Sequence, residues 1–177
     1  MSIDKPKVYL ISIYILLLVV GQLDLHNNLL NAIIYTLNLG LFLALCLTLD
    51  FDFSIMLAFI TYLVHVLRDI LLGLRISAFS NNINHLIRYI SLSLIIGLVG
   101  RRKASAIKIL ILSFLSLMIV DSLLIRVISY LLPLISTNTS FNTPWISISD
   151  VAKYLLCSLS SLFFFYVYLI LNIQSRQ

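Results

Sequence analysis

The chain has 177 residues, 61% hydrophobic and only 11% charged, with a mean hydropathy of +1.09. Soluble domains carry about a quarter charged residues, so this composition excludes a soluble fold and describes an integral membrane protein. The net charge of +5 comes from twelve Lys and Arg against seven acidic residues, all Asp; basic ends of membrane spans account for it without nucleic acid as a partner.

Residues 1–7 are a short polar head with Lys5 and Lys7. The apolar run that follows lacks a small-residue cleavage site, so a retained span is expected rather than a removable leader. The first span is predicted over 8–23, and DLHNN at 24–28 reads as a tight turn. The second is predicted over 29–49, long enough for the roughly 20 residues that cross hydrocarbon. It opens with a polar stripe of Asn31, Tyr35 and Asn38. Asp50, Phe51 and Asp52 form the next turn, and one of the two aspartates is expected to cap the third helix.

The third span is predicted over 53–74, and residues 74–84 (LRISAFSNNIN) read as a loop or an interfacial segment. The fourth, 85–100, carries Arg88 near its start and stops at Gly100 before the basic turn Arg101, Arg102 and Lys103. Residues 104–136 stay apolar except at Lys108, Asp121 and Arg126, too long for one perpendicular span. A fifth span is predicted over 106–125, with an extension to 135 that bends or lies at the interface. An uncharged Ser/Thr/Asn-rich segment with the single Trp145 leads to the sixth span, 150–173, which opens with Asp150 and Lys153. With no internal repeat or linker, the expectation is one membrane domain over 1–177, an all-α polytopic bundle of about six transmembrane helices.

Six spans place both termini, the 2–3 turn and the 4–5 turn on one side. That side holds Lys5, Lys7, Arg101, Arg102, Lys103, Lys108 and Arg176, against Arg75 and the flanking His26 and Lys153 on the other. The bias puts both termini in the cytoplasm, and Trp145 falls at the outer interface.

The third span carries charge within its length. Ser54, Ala58, Thr61, His65, Asp69 and Gly73 recur every three or four residues and share one helix face, with Arg68 beside it. Charge in a membrane helix is expected to face protein or a water-filled cavity. Depth, counted at about 1.5 Å per residue, brings Asp69, Arg88, Asp121 and Arg126 into the outer half, with Asn31, Tyr35 and Lys153 opening their spans from that side. The expected pairs are Asp69 with Arg88 or Arg126, and Asp121 with another of these arginines. The alternative is that the long side chains snorkel to the headgroups.

His65 lies one turn from Asp69, a spacing suited to proton relay or to orienting a metal ligand. A metal site would need His85 or His26 nearby, and the expected depths of His65 and His85 differ by about two turns, so no metal and no cofactor are expected. Cys46 and Cys157 lie in apolar runs without a CxxC pair. No GxSxG, no Cys with a placed His and no phosphate-binding glycine loop occurs. Ser158 and Ser161, with Cys157, make a small-residue patch suited to close helix packing.

One combination of segments has a familiar pattern. The third span ends in Asp69, Ile70, Leu71, Leu72 and Gly73; the fourth ends in a basic turn; the fifth carries Leu115 to Asp121, LSLMIVD. In this the chain resembles the MreD family, small membrane proteins of the bacterial rod-shape complex. Asp69 and Gly73 match the family's Asp-Leu-x-x-Gly helix ending, and Asp121 matches more weakly. Where the family has glycines one and two turns before the aspartate, this chain has His65 and Thr61.

The resemblance implies a non-enzymatic scaffold of the cytoplasmic (inner) membrane. Its implied partners are MreC-like and MreB-like proteins and the cell-wall synthases, with Arg101–Lys103 as the cytoplasmic contact for MreB or anionic lipid. The family's fold is similar to that of S components of energy-coupling-factor vitamin transporters. This leaves a second expectation, a substrate pocket lined by Asn31, Tyr35, Asp69, Arg88 and Lys153, although the AxxxA contact motif of that family is absent from the first span. A third is an accessory subunit of another membrane complex.

Overall fold

The computed structural model describes residues 5–23, 27–72, 77–99, 105–124 and 148–175. Among them the chain is entirely helical: α1 Lys5–Val20, α2 Asn28–Thr48, α3 Phe51–Leu71, α4 Ser77–Val99, α5 Ala106–Ile119 continued by a π-helical turn Val120–Leu124, and α6 Ile148–Gln174. Among the described residues three helices are long and apolar enough to cross a membrane: α2, α3 and, within α6, Ser149–Gln174. Gly73, Arg75, Arg101, Arg102, Lys103, Arg126, Trp145 and the expected extension to 135 lie outside the described residues.

The centre of the bundle is α2. It is buried without interruption from Asn38 to Cys46, and a helix that is hydrophobic all round belongs inside a bundle. Its start is fixed by Asn27, whose side chain accepts from the amides of Leu29 and Leu30 at 3.0 and 3.1 Å, the usual N-cap arrangement. α6, α1 and α4 pack around it, and α3 and α5 complete the ring against α4 and α6 respectively. The charged third span is not central: α3 keeps one face out of the core, whereas α2 is enclosed.

That outer face is apolar. On α3 it is Phe59, Leu63, Leu67 and Ile70; on α5 it is Ile107, Ile111, Leu115 and Ile119, at a strict four-residue spacing. A soluble bundle puts polar residues there; here the inner faces are the more polar ones. Ser54, Ala58 and Thr61 of the predicted α3 stripe are buried. Tyr14 of α1 and Thr61 share a hydrogen bond of 2.5 Å. The hydroxyl of Thr61 donates to the carbonyl of Leu57 at 2.8 Å, so Tyr14 is the donor in the pair. Phe42 of α2 lies between Tyr14 and Tyr89, at ring distances of 5.9 and 4.6 Å.

Small residues bring the helices together. A Cβ on Gly40 would stand 2.5 Å from Cβ of Ser160 and 2.9 Å from the carbonyl of Cys157, so α2 and α6 meet at backbone distance. Ser113 of α5 donates to Ser161 of α6 at 3.3 Å. The small-residue patch predicted on the last helix is therefore a packing surface towards two neighbours, as in other membrane bundles.

Two sequence expectations change. Residues 77–84 are helix rather than loop: SAFSNNIN contains neither Gly nor Pro, and its polarity says that the segment is not buried in lipid, without opposing helix. Asp50 does occupy the N-cap position of α3, yet its side chain makes no capping bond; its carbonyl instead accepts from the amide and hydroxyl of Ser54 at 3.0 and 3.2 Å.

Candidate functional site: a polar knot at one end of the bundle

The polar side chains collect where α1, α3 and α5 end and α2, α4 and α6 begin. The contacts of Arg88 and of the His65–His85 pair join helix ends of that set, so successive helices alternate in direction.

At the centre is Arg88 of α4, only 8% exposed. Its Nη1 donates to the hydroxyl of Tyr35 on α2, and its Nη2 donates to Oδ2 of Asp121 and pairs with it. One guanidinium thus ties α2, α4 and the turn after α5. Lys153 of α6, itself exposed, sits 4.9 Å from the Tyr35 ring centroid, and the Arg88 guanidinium carbon is 5.6 Å from it. Both are inside the range in which a cation is drawn to an aromatic ring. Arg88 Nε and Asp121 Oδ1 are buried and make no hydrogen bond among the described residues. Asn31 stands one turn before Tyr35 on α2, half-buried.

Asp121 reaches Arg88 from within the π-helical turn. Such a turn inserts an extra residue into the helical repeat and rotates the side chains beyond it, a device common where a helix must aim a particular group. Of the expected alternatives the structure takes Asp121 as the carboxylate on Arg88; Arg126, the other expected partner of Asp69, lies outside the described residues. Asp69 lies one helix away on α3, where its Oδ1 is 4.0 Å from Nε of the adjacent Arg68.

A second group adjoins the first. His65 of α3 stacks on His85 of α4, ring centroids 4.8 Å apart and planes 20° apart. Nδ1 of His65 is 3.0 Å from Oε1 of Gln22, just past the end of α1. The Gln22 amide nitrogen donates to the carbonyl of Leu18 at 3.1 Å, which turns its oxygen to the ring and makes His65 Nδ1 the donor. The expected two-turn difference in depth between the histidines does not exist. It assumed that α4 begins at His85; with α4 beginning at Ser77, His85 lies ~12 Å into its helix and His65 ~9 Å from the end of its own, at 1.5 Å per residue.

The expected single cluster is thus a tract of two linked groups: Gln22, His65, Arg68, Asp69 and His85, then Arg88, Tyr35, Asp121 and Lys153. His85 and Arg88 join them, three residues apart on one helix. Gln22 was not among the sequence candidates; its only signal is a polar residue at the exit of the first apolar run. Among the described residues no three His, Cys or Asp side chains gather as a metal site would require. Cys46 and Cys157 are buried free thiols, Cys46 lying 3.7 Å from the Ser93 hydroxyl.

Comparison with protein-family models, with curated proteins and with solved structures finds no match for this chain.

Proposed function

We propose that the chain is a non-enzymatic scaffold of the cytoplasmic membrane: a six-span bundle with both termini in the cytoplasm, acting as MreD-like proteins do. In this reading it contacts MreC- and MreB-like partners and, with them, the cell-wall synthases. The observation that carries the reading is the use made of the buried charge. Arg88 is bound by Asp121 and Tyr35 inside the bundle, so these buried polar groups are spent on one another. A reactive centre keeps its acid, base or nucleophile directed at a substrate; this arrangement holds three helices in register. The apolar faces of α3 and α5 suit lipid or a membrane partner, and the basic turn Arg101–Lys103 gives the cytoplasmic side its charge.

A substrate-binding S component of an energy-coupling-factor transporter is the second reading. It is favoured by the exposed Lys153 over Tyr35 and by the unused hydrogen-bonding capacity of Arg88 Nε and Asp121 Oδ1. That reading requires a vitamin-sized molecule to copurify with the protein.

The scaffold reading is tested by depletion in a rod-shaped host that carries the gene. Cells are expected to round and widen as the protein is lost, and to recover on re-expression. Unchanged cell shape at full depletion would overturn it.

A further inference from the structure

We propose that His65 and His85 form a pH-sensitive latch: it holds α3, α4 and the end of α1 together while the two rings carry at most one proton between them, and lets them part in acid. The inference does not depend on the scaffold reading.

The rings belong to different helices and lie nearly parallel at 4.8 Å. Two neutral imidazoles pack in this way, and so does one imidazolium on the face of a neutral ring. Two imidazoliums do not, because like charges then face each other at that spacing. Histidine is the side chain whose ordinary charge change falls between pH ~5 and ~8, so acidification loads this contact with charge.

The surroundings sharpen the response. On α3, Arg68 and Asp69 follow His65 by three and four residues; on α4, Arg88 follows His85 by three. Among the described residues, the end of α1 presents the neutral Gln22 to the pair. Two guanidiniums, Arg68 and Arg88, and two carboxylates, Asp69 and Asp121, therefore surround the pair, with Asp121 held on Arg88. The first proton has Asp69 one turn away; a second meets the other ring and both arginines. Gln22 fixes which atom takes the proton: with Nδ1–H of His65 donating to Oε1, Nε2 is the basic site. Both histidines are half-buried at the polar end of the bundle, where protons can reach them. Parting of the rings frees Gln22 and the last turns of α1 and α3 together, while the Arg88–Asp121 pair still holds α4 to α5.

The test uses the full chain in lipid nanodiscs. Its thermal unfolding midpoint is expected to fall by roughly 5 °C between pH ~8 and ~5. His85→Phe and His65→Phe, which keep a ring in the stack without its titration, should each lose most of that fall. A wild-type midpoint that does not move, or Phe variants that fall as far as wild type, would overturn the latch. If neither variant folds, carbon-labelled imidazole NMR of the chain with His26→Gln decides the matter. Two separated titration steps, each sensed by both rings, support coupling; two independent curves at the ordinary histidine value contradict it.

Discussion

Arg88 shows how a membrane bundle accommodates a full charge. Its side chain is 10% exposed and that of Asp121 is 15% exposed, so each would be a buried, unpaired ion without the other. Removing one partner of such a pair destabilises by about 3–5 kcal/mol, whereas neutralising both is far milder. Arg88→Gln and Asp121→Asn are therefore each expected to lower detergent-unfolding stability strongly. The double variant should lose less than the sum, with a coupling of about 1–3 kcal/mol. Asp69→Asn, one helix away, should add to Arg88→Gln without coupling; the reverse pattern would restore Asp69 as the partner. This distinction was beyond the sequence. Depth along the spans brings Asp69, Arg88 and Asp121 to one level, but which carboxylate meets the guanidinium depends on rotation, and the π-helical turn that sets the rotation of Asp121 has no signature in Val120–Leu124.

At the level of elements, helix packing is decided by where backbone can approach backbone. Gly40 is the clearest case, since any side chain there meets Ser160 and the Cys157 carbonyl. Gly40→Ala is expected to push α2 from α6 and lower stability by about 1–3 kcal/mol. Ser160→Gly in the same chain should recover part of the loss, because the Cys157 carbonyl remains in the way. Full tolerance of Gly40→Ala, read by thermal unfolding, would contradict the close contact. The apolar runs made the positions of the helices readable within a few residues, and Ser54, Ala58 and Thr61 of the α3 stripe were found buried. The early start of α4 was not readable, because composition separates lipid-facing from water-facing segments better than helix from loop. That one boundary also hid the His65–His85 contact, since an error in where a helix begins displaces every depth counted along it.

On the scale of the whole molecule, the described residues form a central helix packed by five others, apolar on the outer faces of α3 and α5 and tied at one end by a polar knot. Arg88, Tyr35, Asp121 and Lys153 meet in one group and His65, His85 and Gln22 in the next, and under the proposed function these groups hold the bundle. Amides, isosteric at Asp121 and shorter at Arg88, keep hydrogen-bonding capacity while removing the charge a reactive or ion-binding site would need. The decisive measurement is complementation: the Arg88→Gln/Asp121→Asn double variant, expressed in cells depleted of the native protein, scored for cell shape and for its abundance in the membrane. The account predicts that the variant, once present at wild-type abundance, restores rod shape as the wild type does. A variant equally abundant that leaves the cells round would show that the charges themselves are needed, and would contradict it.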